Sequence, residues 1–184
     1  MKRLILDGSK IAWHTDRVHA WEVGERIAPV SVDMALTRAC QSACRGCYAT
    51  LQEGQERENI TVDHAYALLD DFAEIGVRAV SIVSDGESTL SPAYVPFILR
   101  AASLGMDVGN ATNGWRLFPG VSEKVLPCLK WVRFTVLAGK SESFARMMSA
   151  DPTRTDIFDT AMANIRAAVA IKRRDNLDVT LGIQ

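Results

Sequence analysis

From Val30 onward the chain keeps one rhythm: an apolar run of strand length, a turn, a helical stripe, then the next run. Val30, Val32, Met34 and Leu36 alternate with Ser31, Asp33, Ala35 and Thr37, the two-residue period of a strand with unlike faces. Thr61 then caps a helix whose apolar positions Val62, Ala65, Leu68, Leu69 and Phe72 fall at helical spacing and stop at Gly76. Further strands are predicted over Arg78 to Val83, Met106 to Ala111, Trp131 to Leu137 and Leu177 to Gln184. Between them helices are predicted from Ser91-Pro92 to Gly105, from Val121 to Leu126, and from Asp156 to Arg174. The last of these carries Ile157, Ala161, Ile165, Ala168 and Val169 on one stripe and ends in Lys172-Arg173-Arg174, which suits the negative end of a helix dipole. Such alternation implies an α/β fold with a parallel sheet. Right-handed crossovers curl that sheet toward a partial (β/α) barrel of about five strands, with chemistry at the strand C-terminal ends.

Residues 1–28 read as an N-terminal extension and residues 29–184 as the core. The extension is expected to be a hairpin, Leu4 to Leu6 turning at Asp7-Gly8 into Lys10 to His14, followed by a helix near Asp16 to Val23. Trp13, Val18 and Trp21 are expected to pack it over the main body. The final strand run reaches the last residue, which leaves a free edge. A truncated protein, or a barrel completed by a strand-edge partner or a second copy, is expected from that.

Bulk properties exclude several classes. The 21 basic and 22 acidic residues give a formal charge of −1, which supports neither a nucleic-acid partner nor an anionic membrane surface. Four cysteines in 184 residues, three of them clustered, are no disulfide scaffold. The apolar run at Leu4-Ile5-Leu6 is too short for a signal peptide, and no stretch approaches transmembrane length. A cytoplasmic, reducing setting is expected.

The clustered cysteines, Cys40-Gln41-Ser42-Ala43-Cys44-Arg45-Gly46-Cys47, directly follow the first strand. Three thiolates on one short loop can ligate three irons of a four-iron, four-sulfur (4Fe-4S) cube and leave the fourth iron open to a small molecule. A zinc site with a distant fourth ligand, or buried thiols, are the other readings of the same residues.

With Tyr48 next in line, this loop resembles the cluster-binding loop of the radical S-adenosyl-L-methionine (SAM) superfamily, over roughly residues 29–184. The resemblance implies that Cys40, Cys44 and Cys47 hold the cluster. It also implies that SAM chelates the open iron through its amino and carboxylate groups. Reductive cleavage of SAM would then give a 5′-deoxyadenosyl radical that abstracts hydrogen from a substrate C–H. Gly46 stands where the family often has a bulky or aromatic residue, and a backbone contact to adenine survives that change. Ser84-Asp85-Gly86-Glu87-Ser88, after the second strand, resembles the family's Gly-Gly-Glu segment, with Asp85 in place of the first glycine. It implies that Asp85, Gly86 and Glu87 receive the SAM amino group, since a carboxylate accepts charge-assisted hydrogen bonds. Thr112-Asn113-Gly114, after the third strand, resembles a turn found near SAM in relatives, which puts Thr112 and Asn113 at the cofactor. Thr135 matches the hydroxyl that relatives place on the fourth strand for the ribose or methionine carboxylate. Leu137 departs from the acid that follows there, and a plain buried strand position is the other reading.

The remaining candidates are weaker. Cys128 reads as core, and His64 as an exposed residue of a first helical turn. Asp33 shares a face with Ser31 and Thr37 and meets substrate if that face lines the barrel. Arg146 reads as an exposed helix arginine or as a partner for a carboxylate. The implied partners are a peptide or small-molecule substrate and an electron donor such as flavodoxin or ferredoxin. The alternatives are a non-catalytic iron–sulfur or zinc module, or a half barrel sealed by another chain.

Overall fold

All five strands expected after Pro29 are present in the computed structural model, which describes residues 12–51, 58–83 and 85–184. β1 (Ser31–Met34), β2 (Ala79–Ile82), β3 (Asp107–Thr112), β4 (Leu129–Phe134) and β5 (Thr180–Ile183) form one sheet in the order β1-β2-β3-β4-β5. Every neighbouring pair is parallel. Sequential order is that of a barrel wall. A doubly wound sheet instead reverses its order at a switch point.

The crossovers are α2 (Val62–Glu74), α3 (Tyr94–Ser103), α4 (Pro119–Val125), and a pair between β4 and β5, α5 (Ser141–Met148) and α6 (Asp156–Arg174). Thr61 caps α2 as expected, its side chain accepting from the His64 N–H at 3.2 Å, and Gly76 ends it at φ +84°. α3 begins later than the Ser91-Pro92 signal predicts. Ser91 Oγ accepts from the Ala93 N–H at 3.2 Å, so Ser91 to Ala93 make a separate turn and the helix starts at Tyr94.

One face of the sheet carries the core. Val80, Ile82, Val108, Val132 and Phe134 are buried against Ala65 and Leu69 of α2, Phe97, Ile98 and Ala101 of α3, and Ile165 and Ala168 of α6. Each Val, Leu, Ile or Phe side chain among them contributes about 1.5–3 kcal/mol by leaving water, and the two-residue period puts the strand members on one side. The register sets Asp33, Ser81, Gly109 and Trp131 in one row on the other side, with Asp33 exposed. Asp33 therefore faces away from the helical core, as its expected role requires.

A register shift at Val108/Gly109 pairs Gly109 with Trp131 and leaves Lys130 as the extra residue. A β-carbon on Gly109 would lie 2.1 Å from the Trp131 ring, so the glycine is what seats the indole. Gly109→Ala is expected to push that ring off the sheet and cost about 1–3 kcal/mol. A urea midpoint and near-ultraviolet circular dichroism read this out, and an unchanged aromatic spectrum would refute the seating.

Two expectations need correction. β4 ends at Phe134, and Leu137 lies beyond it with 41% of its surface exposed, so it is not a buried strand residue. Residues 1–11 of the expected hairpin lie outside the described residues, and Ala12 and Trp13 form a 3-10 turn in place of the strand expected over Lys10 to His14. The helix that follows, α1 (Thr15–Glu22), buries none of its side chains, and Trp13 and Trp21 are 71% and 68% exposed. Polar contacts attach α1 instead. Arg17 donates to Ala28 O at 2.5 Å and to Gly76 O. No helix among the described residues is long and apolar enough to cross a membrane.

Candidate functional site

The C-terminal ends of β1, β2 and β3 lead into the cysteine loop, the Asp85–Ser88 turn and the Thr112–Gly114 turn. One buried carboxylate joins the last two. Glu87 is 4% exposed. Its Oε1 accepts from Thr112 Oγ1 at 2.7 Å, Thr89 Oγ1 at 2.7 Å and the Thr89 N–H at 3.3 Å, and its Oε2 accepts from the Asn113 N–H at 2.7 Å. Burial pushes the Glu87 carboxyl up from the usual glutamate range, against the pull of these donors. The sequence assigns this carboxylate to an ammonium. In the structure Oε1 is filled by three of the protein's own donors, and Oε2 accepts one, which leaves it a further acceptor position.

Asn113 joins the cysteine loop to the same unit. Its Nδ2 donates to Ser42 Oγ at 3.0 Å, while its Oδ1 accepts from Gln41 Nε2 at 3.2 Å and from the Trp115 N–H at 3.1 Å. Because a backbone N–H needs an oxygen there, the orientation of both amides is set. Gln41 Oε1 is then left buried with no partner among the described residues. Thr112 Oγ1 also accepts from the Gly114 N–H at 3.0 Å, and Asn164 of α6 donates to Gly114 O at 2.8 Å and Trp115 O at 3.1 Å. Thr135 is brought beside this turn by its N–H, which donates to Thr112 O at 2.8 Å.

Gly86 links the second turn to the cysteine loop from below. It sits at φ +77°, and the adjacent Glu87 N–H donates to Ala39 O at 2.8 Å. A β-carbon on Gly86 would lie 2.5 Å from Thr37 O and 2.8 Å from Ala39 O. Only glycine permits that approach. Gly46 is different: no atom of the described residues lies within 4 Å of a β-carbon there.

Cys40, Cys44 and Cys47 are half-buried thiols that form no disulfide among the described residues. Burial pushes Cys40 up, and pushes Cys44 up to about 11, with the charges of Cys40 and Cys47 adding to the effect. The three sulfurs therefore feel one another. Among the described residues no three His, Cys, Asp or Glu side chains stand together as a metal-ligating group. Tyr48 opens a 3-10 turn, Tyr48–Leu51, and is 59% exposed. Asp85 is half-buried, and Ser84 lies outside the described residues. Cys128 packs at the edge of the main core and His64 is exposed, both as expected.

Gln41, Ser42 and Asn164 were not among the expected site residues. Asn164 had a visible signal, a lone amide on the apolar stripe of the Asp156–Arg174 helix. Gln41 and Ser42 had none beyond lying between the cysteines.

The comparisons with known proteins agree with this architecture. The model of the radical SAM superfamily matches residues 34–184. An AdoMet-dependent heme synthase of Methanosarcina barkeri is 30% identical over 98 residues, 53% of this chain and 28% of that protein. The solved structure of anSMEcpe with bound AdoMet superposes with a TM-score of 0.65 at 14% identity, covering 84% of this chain and 43% of that one. Streptococcus suis SuiB bound to its precursor peptide SuiA gives 0.59 at 15% identity, covering 100% and 47%. These likenesses show the fold, and the chain spans less than half the length of each of these three proteins. With a family match that runs from within β1 to the last residue, the chain belongs to the radical SAM superfamily of enzymes.

Proposed function

We propose that the protein, with residues 29–184 as its core, holds a 4Fe-4S cluster on Cys40, Cys44 and Cys47 and binds SAM at the open iron. The 5′-deoxyadenosyl radical made there abstracts hydrogen from a peptide or natural-product substrate. The observation that carries this reading is the network on Glu87 and Asn113, which makes one unit of the cysteine loop and the two turns. A chain that only trapped a metal has no use for such a junction.

The donor set fits the group by its chemistry, although Cys40, Cys44 and Cys47 do not stand together as a ligating group in this structure. Three soft sulfur ligands on one loop match three iron corners. The raised thiols are protonated without metal, so loading releases protons. Gln41 Oε1 offers a buried acceptor that costs about 1–3 kcal/mol while unpaired. An N–H or O–H group of SAM is suited to satisfy it.

When bound, the cluster supplies one electron to the SAM sulfonium. The chain's own part is orientation. The backbone of Asp85, Gly86 and Glu87 receives the amino group, with the Glu87 carboxylate holding that backbone in place. Thr112 and Asn113 have their side-chain polar atoms engaged internally, so they shape the cofactor's seat. Thr135 offers the hydroxyl for ribose or carboxylate, and Gly46 and Tyr48 border the adenine. Asp33, on the open sheet face, is placed to meet substrate. A peptide substrate is supported by the SuiB likeness, whose structure holds a precursor peptide. A flavodoxin-type or ferredoxin-type donor and a cytoplasmic setting complete the reading.

Anaerobic reconstitution tests it. The expected product is a brown protein with about four irons per chain that yields 5′-deoxyadenosine from SAM under dithionite. Serine at all three cysteine positions is expected to remove the iron and the product together. A colourless protein carrying one zinc, or iron that survives the triple replacement, would overturn the reading.

A further inference from the structure

Trp115 carries a buried donor left over by the fold. It follows the Thr112–Gly114 turn, and its indole Nε1 is buried with no hydrogen-bond partner among the described residues. Its main chain is well held. The Trp115 N–H donates to Asn113 Oδ1 at 3.1 Å, and Trp115 O accepts from Asn164 Nδ2 at 3.1 Å. Asn113 Nδ2 in turn donates to Ser42 Oγ at 3.0 Å, two residues before Cys44. A buried indole N–H ordinarily finds an acceptor, so one without calls for an explanation.

The surroundings narrow the choice of acceptor. Trp115 and Cys44 pack against one apolar cluster, Phe144, Met148, Ile157 and Ala161. Among the described residues, the other side chains of that cluster are hydrocarbon or thioether, with no oxygen or nitrogen to accept a hydrogen bond. A bridging water needs several polar partners, which such a wall does not offer. Sulfur is the acceptor there that can gain strength, because a thiol that ligates a metal becomes a thiolate. Anionic acceptors make the stronger hydrogen bonds.

We propose that the Trp115 indole N–H donates to the Cys44 thiolate once that sulfur ligates iron, and so sets how readily the cluster takes up an electron. This rests on the cluster reading above and adds to it a residue that tunes the cluster. Hydrogen bonds to the sulfurs are among the features that fix the reduction potential of such a centre. Reduction adds one negative charge to the cluster and its ligands. A donor aimed at a ligating sulfur therefore favours the reduced form and raises the potential. The apolar wall strengthens the effect, since a hydrogen bond is electrostatically stronger at low dielectric.

The test is a redox titration of the reconstituted protein without SAM, read by electron paramagnetic resonance of the reduced cluster. Trp115→Phe is expected to lower the ratio of reduced to oxidised cluster about tenfold at a given potential, a shift of about 59 mV to more negative values, with iron content unchanged. Electron–nuclear double resonance should show an exchangeable proton coupled to the reduced wild-type cluster that the variant lacks. Where phenylalanine alters iron uptake, replacing Trp115 by benzothienylalanine keeps the bicyclic shape, puts sulfur in place of the N–H, and should give the same shift. Trp21→Phe, on the exposed α1, should change neither readout. A ratio within about twofold of wild type in the Trp115 variants, or the same exchangeable proton in all of them, would overturn the hydrogen bond and leave the cluster reading intact. A wild-type protein that takes up no iron overturns the cluster reading, and the hydrogen bond falls with it.

Discussion

Glu87→Ala is expected to destabilise the protein by about 3–5 kcal/mol. The change removes the acceptor of four hydrogen bonds at once. It leaves the Asn113 N–H and the Thr112 hydroxyl facing a small cavity at a site only 4% exposed. Both turns lose their common tie, so SAM affinity is expected to fall beyond what the loss of fold accounts for. Glu87→Gln separates charge from shape. Turned so that its oxygen keeps the Thr112 and Thr89 donors, the amide sets its own N–H against the Asn113 N–H. About half the cost of alanine is expected, roughly 2 kcal/mol. Urea unfolding of the metal-free protein measures both. An alanine variant within about 1 kcal/mol of wild type would show that Glu87 does not hold the two turns together.

Gly86→Ala is expected to be nearly as damaging, for a steric reason. The new methyl would sit 2.5 Å from Thr37 O, 2.8 Å from Ala39 O and 2.8 Å from the Arg38 carbonyl carbon. All three are main-chain atoms, so no side chain can turn aside to make room. The left-handed φ of +77° adds about 1–2 kcal/mol by itself. The total should reach about 3 kcal/mol or more. Much of the relief would come from pushing the segment before Cys40 outward, which breaks the 2.8 Å bond from the Glu87 N–H to Ala39 O. Iron retained after reconstitution is therefore expected to drop as well. Gly46→Ala provides the contrast within the same site, because no atom of the described residues lies within 4 Å of its β-carbon position. Its stability should stay within about 0.5 kcal/mol of wild type. Equal melting temperatures for the two variants would refute the close approach at Gly86.

The order of strands and helices was legible because each buries one face and so writes a period into the chain. The period-2 run at Val30 to Leu36 and the stripe through Ile157, Ala161, Ile165 and Ala168 both became core-facing elements. Their ends were less legible. The fourth strand stops at Phe134 although Thr135, Val136 and Leu137 continue its apolar, β-branched character. Where pairing stops depends on the neighbouring strands, and composition carries no trace of that. Trp13 and Trp21 misled for a related reason: a large apolar side chain predicts burial only if a surface is there to receive it.

Residue types and their spacing limited which chemistry the strand ends can support, since three sulfurs on one loop and a glycine beside a carboxylate are covalent facts of the chain. Folding settled which atoms of those residues are left for a ligand. Glu87 Oε1 went to the protein's own donors, Gln41 Oε1 was left without one, and Arg45 was set next to α5, about a hundred residues away in the chain. Hydrogen-bonding capacity is a local property, but its assignment is a competition among groups that only the packed chain brings within reach.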